Sequence, residues 1–198
     1  MRRAERLVRK RDLRSLDLLL PALRWRYRTA RNRAVVLLAR LGPIAVPPLL
    51  AKLEGAPTAA ERAGAADALG RIGDSRAVAR LLRALEDPAM TVRRASMIAL
   101  LRLEAMNAVP RIARLLEDAS GGVRVIAAGV LGKFEDPRAV PALVRALGDP
   151  QWYVRQAAAT ALGQIGDRRA IAALEKATRD PRKSVARAAA AALRALRA

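Results

Sequence analysis

Three Val-Arg pairs, Val92-Arg93, Val123-Arg124 and Val154-Arg155, stand 31 positions apart (92, 123, 154). One step further on is Val185. One step back is Glu61-Arg62, and two steps back is Ala30-Arg31. A fixed period of this length marks a supersecondary unit stacked on copies of itself, because one such unit cannot bury its apolar face alone. No other feature of the chain narrows its fold as far.

The clearest copy runs from Asp149 to Pro181 and reads as a helical hairpin. Asp149 is the expected N-cap of its first helix, with Pro150 at the first helical position, where a missing N–H costs nothing. Val154, Ala157, Ala158, Ala161, Leu162 and Ile165 then recur at three- and four-residue steps, the stripe of an amphipathic helix. Gly166 supplies a left-handed stop, and Asp167 caps a second helix carrying Ile171, Leu174 and Thr178. Asp180-Pro181 opens the next copy.

Laid on this frame, residues 1–29 form an atypical basic cap. It ends on Leu16, Leu19, Leu20 and Leu23, in register with the later stripes, after a short basic helix. Five repeats follow, over 30–60, 61–91, 92–122, 123–153 and 154–184, and a final Ala-rich helix covers 185–198. The repeat over 92–122 departs most. Leu103-Glu104 stands in place of Ile-Gly, and Ala119-Ser120-Gly121-Gly122 in place of the Asp-Pro opening, so a bend or local mobility is expected there.

The pattern D-P-x-x-x-V-R-x-x-A-A-x-A-L-G-x-I-G-D-x-R-A-[VI]-x-x-L is met by 149–174 almost throughout, and its second half by 136–147. It resembles the short HEAT-like repeat of the phycobilisome lyases, and the resemblance covers roughly 30–198. It implies an all-α fold, a right-handed α-α superhelix (HEAT-like solenoid) of about five helical-hairpin repeats with helical caps. It also implies a binding scaffold, with the second helices lining a concave surface.

Composition bears on chemistry. The chain has no Cys and no His, so thiolate and imidazole metal sites, the commonest general base and the familiar nucleophile pairs are all unavailable. No cofactor or metal is expected. HEAT-like metal-dependent hydroxylases need His-Glu pairs, which are missing. A HEAT-like DNA glycosylase would need a carboxylate set among aromatics, and a bilin lyase-type enzyme a chromophore site; neither can be picked out among five aromatic residues. A non-enzyme is expected. Apolar runs look broken by charge well short of a bilayer's thickness, and the run Leu18 to Leu23 is too short for a signal peptide, which points to a cytoplasmic protein with no transmembrane segment.

The formal charge is +20, from 38 basic and 18 acidic residues, and it is uneven. Residues 1–40 hold 13 basic and 3 acidic side chains, residues 168–198 hold 9 and 2, and the middle is nearly balanced with 16 and 13. Such a charge attracts polyanions over long range. On the second helices, at about 100° per residue, Arg76, Arg80 and Arg83 fall opposite the apolar stripe. Arg111 and Arg114, Arg138 and Arg145, and Arg169 and Lys176 follow in later repeats. The row Arg83, Arg114, Arg145 and Lys176 keeps the 31-residue period. With helices roughly 8–10 Å apart it would extend about 30 Å, suited to an acidic protein segment or a phosphate backbone.

Two further segments are candidate phosphate or surface contacts. One is the leader, with Arg2, Arg3, Arg6, Arg9, Lys10, Arg11 and Arg14, which either grips RNA, DNA or an anionic membrane surface or stays a solvated tail. The other is Arg24-Trp25-Arg26-Tyr27-Arg28, whose aromatics either stack on bases or cover the open end of the stack. The pairs Asp87/Arg93, Asp118/Arg124 and Asp149/Arg155 read instead as framework, each Asp capping a helix and tying to an Arg between repeats. The leading expectation is a protein-binding scaffold with a basic groove for an acidic protein or complex. The alternative is binding of RNA or DNA. Oligomeric state is open.

Overall fold

The structure is a computed structural model and describes every residue except Arg11, Arg26 and Ala198. It is all helix and turn among the described residues. The order is α1 (Arg2–Arg9), α2 (Arg14–Leu19), α3 (Arg28–Leu41), α4 (Val46–Gly55), α5 (Ala59–Ile72), α6 (Val78–Ala84), α7 (Met90–Arg102), α8 (Val109–Arg114), α9 (Gly121–Phe134), α10 (Val140–Ala146), α11 (Trp152–Ile165), α12 (Ile171–Ala177) and α13 (Lys183–Arg197). The chain forms two compact units, 1–103 and 104–198. The division falls at Leu103-Glu104, inside the repeat that departs most from the pattern.

In the first unit α1 and α2 pack on α3, α3 on α5, and α5 on α7, while α4 and α6 lie against α5 and α7. In the second, α9, α11 and α13 pack in sequence, backed by α8, α10 and α12. The first helix of each repeat is therefore the long one, and the second is short. Each second helix from α6 onward is entered through a 3-10 turn, as at Arg168–Ala170 before α12.

The Gly of the A-L-G motif is what lets the first helices meet. A Cβ on Gly70 would lie 2.5 Å from Ala99 Cα, and one on Gly132 or Gly163 would lie 2.9 Å from Ala161 or Ala192 Cα. Backbone thus meets backbone, and no side chain can be inserted without moving a helix. The apolar stripes close around these contacts, with Leu38, Leu69, Leu100, Leu131 and Leu143 fully buried.

The turns differ in detail from the sequence expectation. α11 starts at Trp152 with Gln151 as N-cap, not at Pro150 with Asp149. The Asp149 carboxylate accepts from the Gln151 N–H at 2.8 Å, closing a turn ahead of the helix. Its remaining acceptor capacity goes to Arg124 of the preceding repeat. Asp118 does the same for the Ser120 N–H at 2.8 Å, so the opening turn survives where Pro is absent. Asp167 likewise caps the 3-10 turn rather than α12 itself. Gly166 takes the left-handed backbone as expected (φ 75°), but Glu104 and Glu135 adopt it too (φ 50° and 53°), without glycine's freedom.

The cap is ordered. Ala4 and Val8 of α1 are buried, and Arg33 Nε of α3 donates to Glu5 Oε1 at 2.7 Å. Trp25 and Tyr27 are 40% and 73% exposed, while Leu19, Ala22 and Leu23 of the cap are fully buried. The expected absence of a long apolar run also needs correction. The stretch Arg28–Gly55 is long and apolar enough to cross a membrane by length and composition. Here it folds as two helices, α3 and α4, broken at Gly42 (φ 68°), with Leu37, Leu38, Leu41, Leu49 and Leu53 in the core.

Candidate functional site

The Asp and Arg ladder is framework. Arg62 donates through Nε to Asp87 at 2.7 Å, Arg124 to Asp149 at 2.6 Å and Arg155 to Asp180 at 2.7 Å. Each pairing is bidentate, with Nη2 completing the fork. Nη1 of the same guanidinium donates backwards, to the carbonyl six residues earlier. One side chain therefore ties its own loop to the next. At Asp180 the Arg155 hydrogen bond holds the carboxyl below the usual range against the opposing effect of burial. At Asp87 burial pushes the carboxyl up, and the hydrogen bonds from Arg62 and the Ala89 N–H more than offset it.

The second-helix bases (Arg76, Arg80, Arg83, Arg111, Arg114, Arg138, Arg145, Arg169 and Lys176) are all exposed, as the helical projection implies. They are not equivalent. Arg76, Arg138 and Arg169 fold back on Asp74, Asp136 and Asp167, with Nη2–Oδ2 at 2.6, 2.6 and 2.5 Å. Each also reaches a carbonyl of the preceding repeat, Pro43, Met106 or Pro137. These arginines hold the three carboxyls below their ordinary range, and they serve the inter-helix turn. Arg83 pairs with Glu54, Arg80 approaches the same carboxylate at 3.5 Å, and Arg145 pairs with Glu117 at 3.2 Å. The Arg145 pair is 64% and 70% exposed, so water screens it. Arg111, Arg114 and Lys176 have no hydrogen-bond or ion-pair partner among the described residues.

In the second unit, then, α8 offers Arg111 and Arg114, α10 a loosely held Arg145, and α12 Lys176. Lys176 and Arg169 border a shallow hollow floored by Val144, Leu147 and Ala173. In the first unit α6 presents Arg80 and Arg83, both committed to Glu54. Glu54 and Glu86 are exposed in the first unit and Glu117 in the second, so acids accompany the bases within each unit.

The leader residues Arg2, Arg3, Arg6, Arg9 and Lys10 are exposed around α1, and so are Arg24, Trp25, Tyr27 and Arg28; Arg26, like Arg11, lies outside the described residues. Trp25 contributes its carbonyl, which accepts from Arg31 Nη1 at 2.6 Å. Trp152 meets Tyr153 edge-on at 5.8 Å and lies 6.0 Å from the Arg182 guanidinium.

Sequence reasoning passed over a second basic series on the first helices. Arg40, Arg71, Arg102 and Lys133 keep the same period (40, 71, 102, 133), so the signal was present. Each lies in the last turn of its helix, where a cation complements the helix dipole. Arg94 of α7 lines one groove with Arg71 and Arg102 but belongs to no periodic row.

Several solved structures share this architecture. A designed armadillo repeat protein in complex with the peptide (KR)4 superposes with a TM-score of 0.65 at 19% identity, over 91% of this chain and 99% of that one. The Escherichia coli protein YibA gives 0.62 at 17% identity, over 98% and 85%. The complex of CpcE and CpcF of phycocyanin lyase from Nostoc sp. PCC7120 gives 0.50 at 24% identity, over 98% and 87%. At these identities the likeness is one of fold. No curated protein sequence matches the chain. The HEAT repeat family model matches residues 46–111 and 108–194, and it is on this span, with its α-α superhelical hairpins, that the chain belongs to the HEAT repeat family.

Proposed function

We propose that this chain is a non-catalytic protein-binding scaffold whose second helices receive an acidic protein segment. The observation that carries the reading is the free charge on the second unit. Arg111, Arg114 and Lys176 are exposed and unpartnered, beside an Arg145 held only by a solvated Glu117. The peptide-bound armadillo design has a related helical-repeat fold and supports peptide capture as a use for it. RNA or DNA binding is the competing reading, and the net charge of +20 favours it. Glu54 beside Arg80 and Arg83 in the first unit, and Glu117 beside Arg145 in the second, speak against it, because a phosphate backbone would meet carboxylates within each unit.

The test compares a labelled Glu-rich peptide with duplex DNA and RNA across a salt series. The scaffold reading expects peptide binding that is lost when Arg114, Arg145 and Lys176 are changed together to Glu. Tighter binding of nucleic acid, with a steep salt slope flattened by the same triple variant, would replace it with the competing reading. Unchanged peptide affinity in the triple variant would remove the second helices from the site.

A further inference from the structure

In the first unit α3, α5 and α7 enclose a groove of about 630 Å³ on the side of the first helices, away from the residues discussed under function. Its floor is small and aliphatic, with Ala63 and Gly64 from α5 and Ile98 from α7. Its walls carry Arg28 and Arg31 from α3, Arg71 from α5, and Arg94 and Arg102 from α7, against a single carboxylate, Asp67.

That carboxylate is already shared: Arg71 Nε donates to it at 3.1 Å and Arg102 also pairs with it. Arg28 and Arg94 meet no acid among the described residues. Arg94 is the sharper case, because its Nε is shielded from solvent and has no hydrogen-bond partner. A guanidinium N–H withdrawn from water without an acceptor is unfavourable, and a carboxylate entering the groove would supply what it lacks.

Arg94 and Asp67, unlike Arg71 and Arg102, are not framework. At the repeat positions of Arg94 in the second unit stand Val125 and Gln156, and at those of Asp67 stand Gly129 and Thr160. Residues that every repeat needs recur every repeat, as the Asp and Arg ladder does. The Arg28 and Arg94 pair belongs to one unit alone. The occupant also follows from the walls. Arginines flanking an aliphatic floor fit carboxylates flanking an aliphatic side chain. No aromatic ring lines the groove among the described residues to stack on a base.

We propose that this groove is a second binding site, independent of the second helices, for an acidic protein segment that sets carboxylates against Arg28 and Arg94 and an aliphatic side chain against Ala63 and Ile98. The probe is a fluorescein-labelled peptide of repeated Glu-Glu-Leu, followed by anisotropy with the full chain at low salt. Arg28→Glu and Arg94→Gln are each expected to weaken binding about threefold to tenfold, in line with one charge-assisted contact. Replacing Leu by Ser in the peptide is expected to weaken it by a similar factor. Arg28 is exposed at the first position of α3, so its variant tests the site even if Arg94→Gln disturbs packing. Binding within twofold of the parent chain for both variants overturns the proposal, as does absence of binding to the parent. Displacement of the peptide by an equal concentration of a short RNA overturns the choice of partner. Loss confined to the Arg114, Arg145 and Lys176 variants assigns the peptide to the second helices and overturns this site alone; loss confined to Arg28 and Arg94 does the reverse.

Discussion

α5 meets α7 where Gly70 faces Ala99, and α9 meets α11 where Gly132 faces Ala161. These first helices run 13 to 14 residues and touch along their backbones. The second helices α6, α8, α10 and α12 run 6 or 7 residues and point arginine and lysine at water. The same guanidinium does opposite work in the two settings. Arg124 of α9 is 12% exposed against an Asp149 side chain at 7%, while Arg145 of α10 is 64% exposed against a Glu117 at 70%. A ladder of arginines read from sequence is therefore not one property. Burial of the partner carboxylate separates a rung that fastens the fold from one that water screens.

The comparison breaks most sharply at the backbone contacts. Gly70→Ala should cost about 3 kcal/mol, because its Cβ would sit 2.5 Å from Ala99 Cα, and thermal unfolding should fall by roughly 6–12 °C. An unchanged melting temperature would show that these helices have room to part. Next come the ties. Asp180→Ala strands the Arg155 guanidinium, largely removed from water, and should cost about 2 kcal/mol by denaturant titration.

Acid tests the same group of carboxylates. Asp74, Asp87, Asp136, Asp167 and Asp180 all lie below their ordinary range in the folded chain. Their stabilisation is complete above the unfolded carboxyl value of about 3.9 and is lost as pH falls through the folded values. Stability should thus be flat from about pH 8 to 5 and drop below about pH 4, with a shallower drop in Asp180→Ala. A midpoint that falls already at pH 6 would contradict this, since the chain has no His.

Smaller effects sharpen the contrast from the solvent side. Gly129 lies mid-helix in α9, and a Cβ added there would meet nothing within 4 Å, so Gly129→Ala should stabilise by about 1 kcal/mol, the opposite sign to Gly70. Glu117→Ala should change stability by less than about 0.5 kcal/mol, as expected for a solvated pair. A loss near that of Asp180→Ala would make the second-helix pairs structural after all.

The fold was legible because the chain states its unit length five times over, and because Gly166 and the leucine stripes follow from helix periodicity. The start of α11 was not. Asp149 looked like a cap until its partner, Arg124, was brought to it from 25 residues away. The same limit governs the site. Exposure of Arg83 and Arg145 follows from 100° per residue, but Glu54 and Glu117 stand 29 and 28 residues off and meet them only through stacking. The Arg76 pairing is local, since Asp74 stands two residues away in the same turn, and is legible in the sequence. The convergence of Arg28 and Arg94 has no period, so only the folded chain brings it out.

Each rung of the buried ladder reaches six residues back and 25 residues forward, and these two spans together make one repeat. A copied segment such as 124–154 would arrive with its own fastening, since Arg155 finds in the copy what it found in the original. Growth by tandem duplication then needs no new joint to be invented. It also frees the outward positions, which the fastening does not use, to diverge one copy at a time.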